Sequence, residues 1–154
     1  MQFTVVIHSL LRWAVLVLGI LVVVKAFSGR KNKTAYGPSD NKYNLFFMIS
    51  CDIQLLLGLV LYFGNGWLDV LKNLSSAAPE TKSYNRFFAI EHMSMMIIAW
   101  VLVHVGRVVV KKSLTDEAKH KKSLLYFGLA LLIILISIPW PFRQALHREW
   151  LPSF

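Results

Sequence analysis

The chain has 154 residues, 56% of them hydrophobic, and a formal net charge of +9. Its apolar residues gather into four blocks, each long enough to cross a hydrocarbon core, which takes roughly 20 helical residues. That pattern counts against a soluble globular domain, and the absence of residue-by-residue alternation counts against transmembrane β-strands, leaving helices to satisfy the backbone in lipid.

The first block, about residues 3–27, has no basic residue ahead of it, carries Arg12 within it and lacks a small-residue cleavage site. It is therefore expected to stay as a helix rather than be removed as a secretion signal. His8 lies five residues into the block, roughly 7 to 8 Å deep at 1.5 Å per residue. Arg12 follows four residues later on the same helix face. A guanidinium cannot readily shed its proton, so within a bilayer it needs an anion. The connection that follows, 28–44, is polar and turns at Gly29 and Gly37-Pro38.

The second block, about 45–63, holds Cys51, Asp52 and Gln54. A single cysteine makes no disulfide framework, and no Cys-x-x-Cys-His is present for covalent haem attachment. The longest connection, 64–84, carries Trp67, Leu68, Val70, Leu71 and Leu74, a pattern that predicts a short amphipathic helix in the membrane interface. The third block, about 86–110, contains Glu91, His92, His104 and Arg107. His92 is six residues in from Arg86, roughly 9 Å by the same rise, and so lies near the depth of His8. A basic connection, 111–122, contains His120 and leads to the fourth block, about 123–142. That block ends in Pro139-Trp140-Pro141-Phe142-Arg143, where two prolines stop a helix and Trp140 beside Arg143 suits the headgroup zone.

The cations follow a membrane logic rather than a nucleic-acid one. Lys25, Arg30, Lys31, Lys33 and Lys42 flank the first connection, and Arg107, Lys111, Lys112, Lys119, Lys121 and Lys122 flank the third. The second connection sets Lys72, Lys82 and Arg86 against Asp69 and Glu80, and the tail sets Arg143 and Arg148 against Glu149, beside His147. By the positive-inside rule, connections one and three face the cytoplasm and both termini lie outside. The basic rims are expected to meet anionic headgroups. The expected fold is all-α: one integral membrane four-helix bundle over residues 1–154, up-down in topology.

In such a bundle the first and third helices can face each other diagonally. A neutral imidazole from each of His8 and His92 would then give six-coordinate haem iron; the alternative is that each only hydrogen-bonds between helices. The anion for Arg12 would be Glu91, at the depth of His8, or a haem propionate. Glu91 and His92 point about 100° apart around their helix, so one can face a cofactor while the other turns to an interface. Nearer the cytoplasm Asp52 and His104 match in depth, Arg107 is placed to pair with Asp52, and Gln54 adds a polar group. Zinc or copper is disfavoured because two histidines at one depth fall short of a tetrahedral site. Met93, Met95 and Met96 read as packing.

Several segments together carry a resemblance: His8-Ser9 with Arg12-Trp13, Asp52-Ile53-Gln54-Leu55-Leu56-Leu57-Gly58, Arg86-Phe87-Phe88-Ala89-Ile90-Glu91-His92, His104-Val105-Gly106-Arg107, and Ile138-Pro139-Trp140-Pro141-Phe142-Arg143. Over almost the whole chain they resemble a family of short bacterial four-helix membrane proteins labelled cytochrome b or cytochrome b-like. More distantly the arrangement is similar to cytochrome b561-type electron carriers, whose fuller histidine set is not matched. The resemblance implies one non-covalent haem b ligated by His8 and His92, with His104 a less secure third ligand and a second haem not expected. The function expected is electron transport in the bacterial inner membrane, from a quinol or membrane dehydrogenase to an outer-side acceptor, with Arg12 and Arg143 at the propionates. Quinone is a further candidate ligand, and a respiratory complex a candidate partner. Two rivals stand beside it. One is an accessory or assembly subunit locked by Arg12–Glu91 and Asp52–Arg107 ion pairs; the other is a proton-handling or small-solute transport protein using Asp52, Glu91 and His104.

Overall fold

The computed structural model describes residues 2–143, 146 and 150; His147, Arg148 and Glu149 lie outside the described residues. Four helical rods are long and apolar enough to span a membrane: Gln2–Asn32, Pro38–Gly64, Pro79–Lys111 and Asp116–Ser137. The first two are α1 (Gln2–Asn32) and α2 (Pro38–Gly64). Two short helices follow, α3 (Trp67–Lys72) and α4 (Pro79–Arg86), with a 3₁₀ turn at Leu74–Ser76 between them. A π turn, Phe87–Glu91, joins α4 to α5 (His92–Lys111) without a break, and α6 (Asp116–Ser137) is the last helix. The short helix expected in the second connection is thus α3. The basic stretch Asp116–Lys122 opens α6, so His120 is helical and not part of a loop.

The helix ends follow from local chemistry. The chain leaves α1 through Lys33 in the left-handed region, φ 51°, and Thr34 N–H reaches back to the Gly29 carbonyl at 3.1 Å, a C-terminal capping bond. Pro38 occupies the first turn of α2, where its missing N–H costs nothing, and Asp40 accepts from Gly37 N–H at 2.9 Å. Thr115 caps α6 by accepting from Ala118 N–H at 3.2 Å.

In the bundle α1 packs on α2 and α6, and α5 packs on α6 and α2, so α1 and α5 sit on a diagonal. The fully buried centre is Phe47, Val103 and Phe127, with Val22 and Leu131 beside them. Gly19 lets α1 approach this centre closely: a Cβ there would lie 2.9 Å from Leu131 and 3.0 Å from the Phe47 ring. The outer faces of all four rods carry exposed Leu, Ile, Val and Phe, as lipid-facing helices do.

Connections one and three meet at one end of the bundle, the basic end. There His120 is 1% exposed, its Nε2 is 3.2 Å from the Thr34 carbonyl, and its ring packs on Tyr36 and on the bare backbone of Gly29. Asn44 donates to Tyr36 Oη at 2.6 Å and to Ser123 Oγ at 3.4 Å, while Lys25 pairs with Asp40 at 3.4 Å. Burial, and then the nearby Asp40 charge, push the Tyr36 hydroxyl up to about 12.

Candidate functional site

At the other end of the bundle a part-open cleft with an enclosed volume of about 170 Å³ lies between α1, α2 and α5, with the end of α6 behind it. An apolar cavity of about 150 Å³ already holds benzene, so the cleft has room for a small ligand. On α1 the lining runs from Val5 to Val15 and on α2 from Cys51 to Tyr62, about 15 Å of helix at 1.5 Å per residue. His8 and His92 face each other in it, with ring centres 6.4 Å apart and planes at 70°. The diagonal placement of α1 and α5 brings the two rings together, as matched depth required.

His92 is aimed by two departures from plain helix. The first is the π turn just before it, which takes one residue more than an α-turn. Arg86 and Glu91, five residues apart and so in register across that turn, pair at 2.7 Å, and Tyr62 Oη donates to the Ala89 carbonyl at 3.0 Å. The second is the end of α6. In an α-helix the carbonyls of Leu135 and Ser137 would accept from residues 139 and 141, and both are prolines without an N–H. Trp140 N–H turns instead to Ile138, which leaves the carbonyl of Ile136 open as well. Three side chains take the three places: Trp140 Nε1 donates to Leu135 at 2.8 Å, Arg143 Nη1 to Ile136 at 3.2 Å, and His92 Nδ1 to Ser137 at 2.8 Å. A carbonyl only accepts, so Nδ1 carries the proton and the basic nitrogen of a neutral His92 ring is Nε2. That second-sphere bond is the one metal-ligating histidines make.

Around His8 the cleft is polar on one side. Gln54 Nε2 donates to the His8 carbonyl at 3.0 Å, and a Cβ on Gly58 would sit 3.4 Å from the His8 ring. Arg12, one turn from His8, donates through Nη2 to the Trp150 carbonyl at 2.9 Å and lies over Trp13. Arg12 Nε and Gln54 Oε1 are buried without a hydrogen-bond partner among the described residues. Both residues line the cleft, so it presents one donor and one acceptor to whatever fills it.

The ion pairs expected for Arg12 and Asp52 are replaced by others. Glu91 turns away from Arg12 to Arg86, because the π turn puts those two side chains on one face. Asp52 meets His104 Nε2 at 3.3 Å and accepts from Trp100 Nε1 at 2.6 Å, while Arg107, one turn further on, donates to the Asn41 carbonyl and side chain at 3.2 Å each. His104 Nδ1 lies 3.0 Å from the Trp100 carbonyl, so both of its nitrogens have acceptors nearby. Arg143 closes α6 and lies 5.1 Å over the Phe87 ring; it does not line the cleft. Among the described residues no three His, Cys, Asp or Glu side chains gather as a metal-binding group.

Sequence reasoning missed Ser137, Tyr62 and Trp100. The Ser137 contact had a signal, since a proline four residues on frees a carbonyl. Trp100 had only its depth beside Asp52, and the π turn had none.

Comparison with known protein families, curated proteins and solved structures finds no match. Fold and site together define a small multi-span helical membrane protein with a histidine-faced cleft at one end.

Proposed function

We propose that this chain is a small membrane electron carrier that holds one haem b in the cleft, with His8 and His92 as axial ligands. One observation carries the reading: the 6.4 Å between the two ring centres. A metal held at about 2.0 to 2.1 Å from a nitrogen of each imidazole, both nitrogens facing it, would set the ring centres roughly 6 Å apart. The Nδ1–H of His92 on the Ser137 carbonyl supports the same reading by directing Nε2 into the cleft. A macrocycle is wider than the enclosed volume, so its edge would emerge along the open side, and the bare backbone of Gly58 supplies clearance beside His8.

Bound haem supplies a one-electron couple whose potential follows its axial ligands and its burial. The chain's own residues do the rest. Arg12 offers Nε to a carboxylate, Gln54 holds the His8 backbone, and Trp67, Phe88 and Tyr62 line the cleft with aromatic surface. The clustering of both basic connections at the opposite end supports an up-down bundle with both termini outside a bacterial inner membrane. The donor would be a quinol or membrane dehydrogenase and the acceptor would lie on the outer side.

Expression with ample haem, followed by a reduced-minus-oxidised spectrum and a pyridine-haemochrome count, tests the proposal. One haem per chain is expected, lost in His8→Ala and in His92→Ala and retained in His104→Ala. A colourless protein, or a spectrum untouched by both cleft substitutions, refutes it.

A further inference from the structure

A second polar site lies outside the cleft. Asp52 stands near the middle of α2, and its carboxylate and the His104 imidazole of α5 are each about one-third exposed, 34% and 33%. Both contacts made by Asp52 use Oδ1, which leaves Oδ2 without a hydrogen-bond partner among the described residues. The residues one turn to either side are exposed and apolar: Ile49 and Leu56 on α2, Val101 and Val108 on α5. At this depth they face hydrocarbon, where a polar group without a partner is costly.

The surroundings restrict what can complete the pair. A lipid headgroup does not reach the middle of a span, and an ionised solute does not dissolve there. A second membrane helix docks most readily on small residues that let backbones approach, whereas the residues flanking this pair are Ile, Leu and Val. What remains is a small, neutral, lipid-soluble molecule that brings an O–H to a carboxylate oxygen and tolerates an aromatic neighbour. Trp100 supplies that neighbour: its indole fixes Asp52, its ring lies 4.2 Å from His104, centre to centre, and it also lines the cleft.

We propose that Asp52 and His104 form a binding site for the head group of a membrane-soluble hydroquinone, held by its O–H on Asp52 Oδ2 in the furrow between α2 and α5. The site deepens the proposed electron carrier, and rests on that reading for its purpose, by naming the class of its reductant. Trp100 is the wall shared by the two sites.

The test uses the full chain in lipid nanodiscs, with and without added haem, titrated with decylubiquinol and read by displacement of decylubiquinone, which quenches tryptophan fluorescence. Saturable quenching, displaced by the quinol, is expected in wild type. The quinone has no O–H to give Asp52, so the variants are read on the quinol: Asp52→Asn, which keeps the acceptor for Trp100, and His104→Gln are expected to raise the quinol concentration for half-displacement at least about tenfold, the loss of one hydrogen bond to a charged group. The readout does not need haem, so a colourless protein that still shows Asp52-dependent displacement upholds this site and removes the haem. Quenching that rises linearly with probe, or quinol displacement that is equal in wild type and both variants, overturns the site and leaves the haem reading standing. An Asp52→Asn protein in which the quinol displaces the probe normally but which changes from dimer to monomer assigns the pair to a second copy and also overturns it.

Discussion

Giving α6 back its missing donors should change the protonation pattern of His92. In Pro139→Ala/Pro141→Ala, residues 139 and 141 gain N–H groups that reach the carbonyls of Leu135 and Ser137, so the helix can continue by a turn. His92 Nδ1 then loses the acceptor it holds at 2.8 Å. A donor left unpaired away from water costs about 1 to 3 kcal/mol, a preference of roughly 5- to 150-fold for the Nδ1–H ring in the native chain. The ring should accordingly be almost wholly the Nδ1–H tautomer in wild type and mixed in the variant. Ring ¹⁵N shifts in lipid, with the His92 signal assigned by its loss in His92→Asn, measure this directly among the five histidines. Hydrogen exchange at residue 141 reports whether the added turn has formed. A protected amide at 141 together with an unchanged His92 tautomer would refute the idea that the proline corner sets the ring.

Gly58→Leu should fill the space beside His8 and abolish ligand uptake while far-ultraviolet circular dichroism keeps its helical signal; normal uptake would show that the cleft is not the binding space. Gly29→Ala drives a methyl into the buried His120 ring, and overpacking of that kind costs about 1 to 3 kcal/mol. A fall of several degrees in the melting temperature is expected, with recovery in Gly29→Ala/His120→Ala, and a double variant no better than the single one would put the strain elsewhere. Tyr36 is held protonated up to about 12 in the folded chain, against 10.0 for the free group. The stability it contributes is complete below 10 and is lost as pH rises from there toward 12. Melts between pH 9 and 12 should therefore fall more steeply in wild type than in Tyr36→Phe.

The four rods were legible because apolar runs of bilayer length have one solution in lipid. The pairing of His8 with His92 was legible as well, since depth on two helices of a bundle is fixed by counting residues. Choice of partner was not. Asp52 lies within reach of either His104 or Arg107 by depth alone, and the side-chain rotation that selects His104 belongs to the packing of α2 on α5. Glu91 went to Arg86 because one residue more in the preceding turn changed which side chains share a face. In the sequence His120 is only part of a basic connection, yet Gly29 opens a place for its ring against α1, a fit that exists only once both helices are packed. Arg12 and Gln54 announced themselves as polar groups in a span, but their unused atoms became visible only with the cleft around them.

The π turn at Phe87–Glu91 divides a continuous rod, Pro79–Lys111, into a foot and a shaft. Tyr84 of the foot and Phe88 of the turn pack against Trp67, and the shaft carries His92. Since the wide turn absorbs about one residue of winding, some 100° of rotation, the two halves keep separate phases. Closing the turn by deleting Ala89 would lock them together, and anchoring the foot would then swing His92 out of line with His8. With the turn in place, the foot keeps its aromatic face toward Trp67 while the shaft keeps the imidazole toward His8.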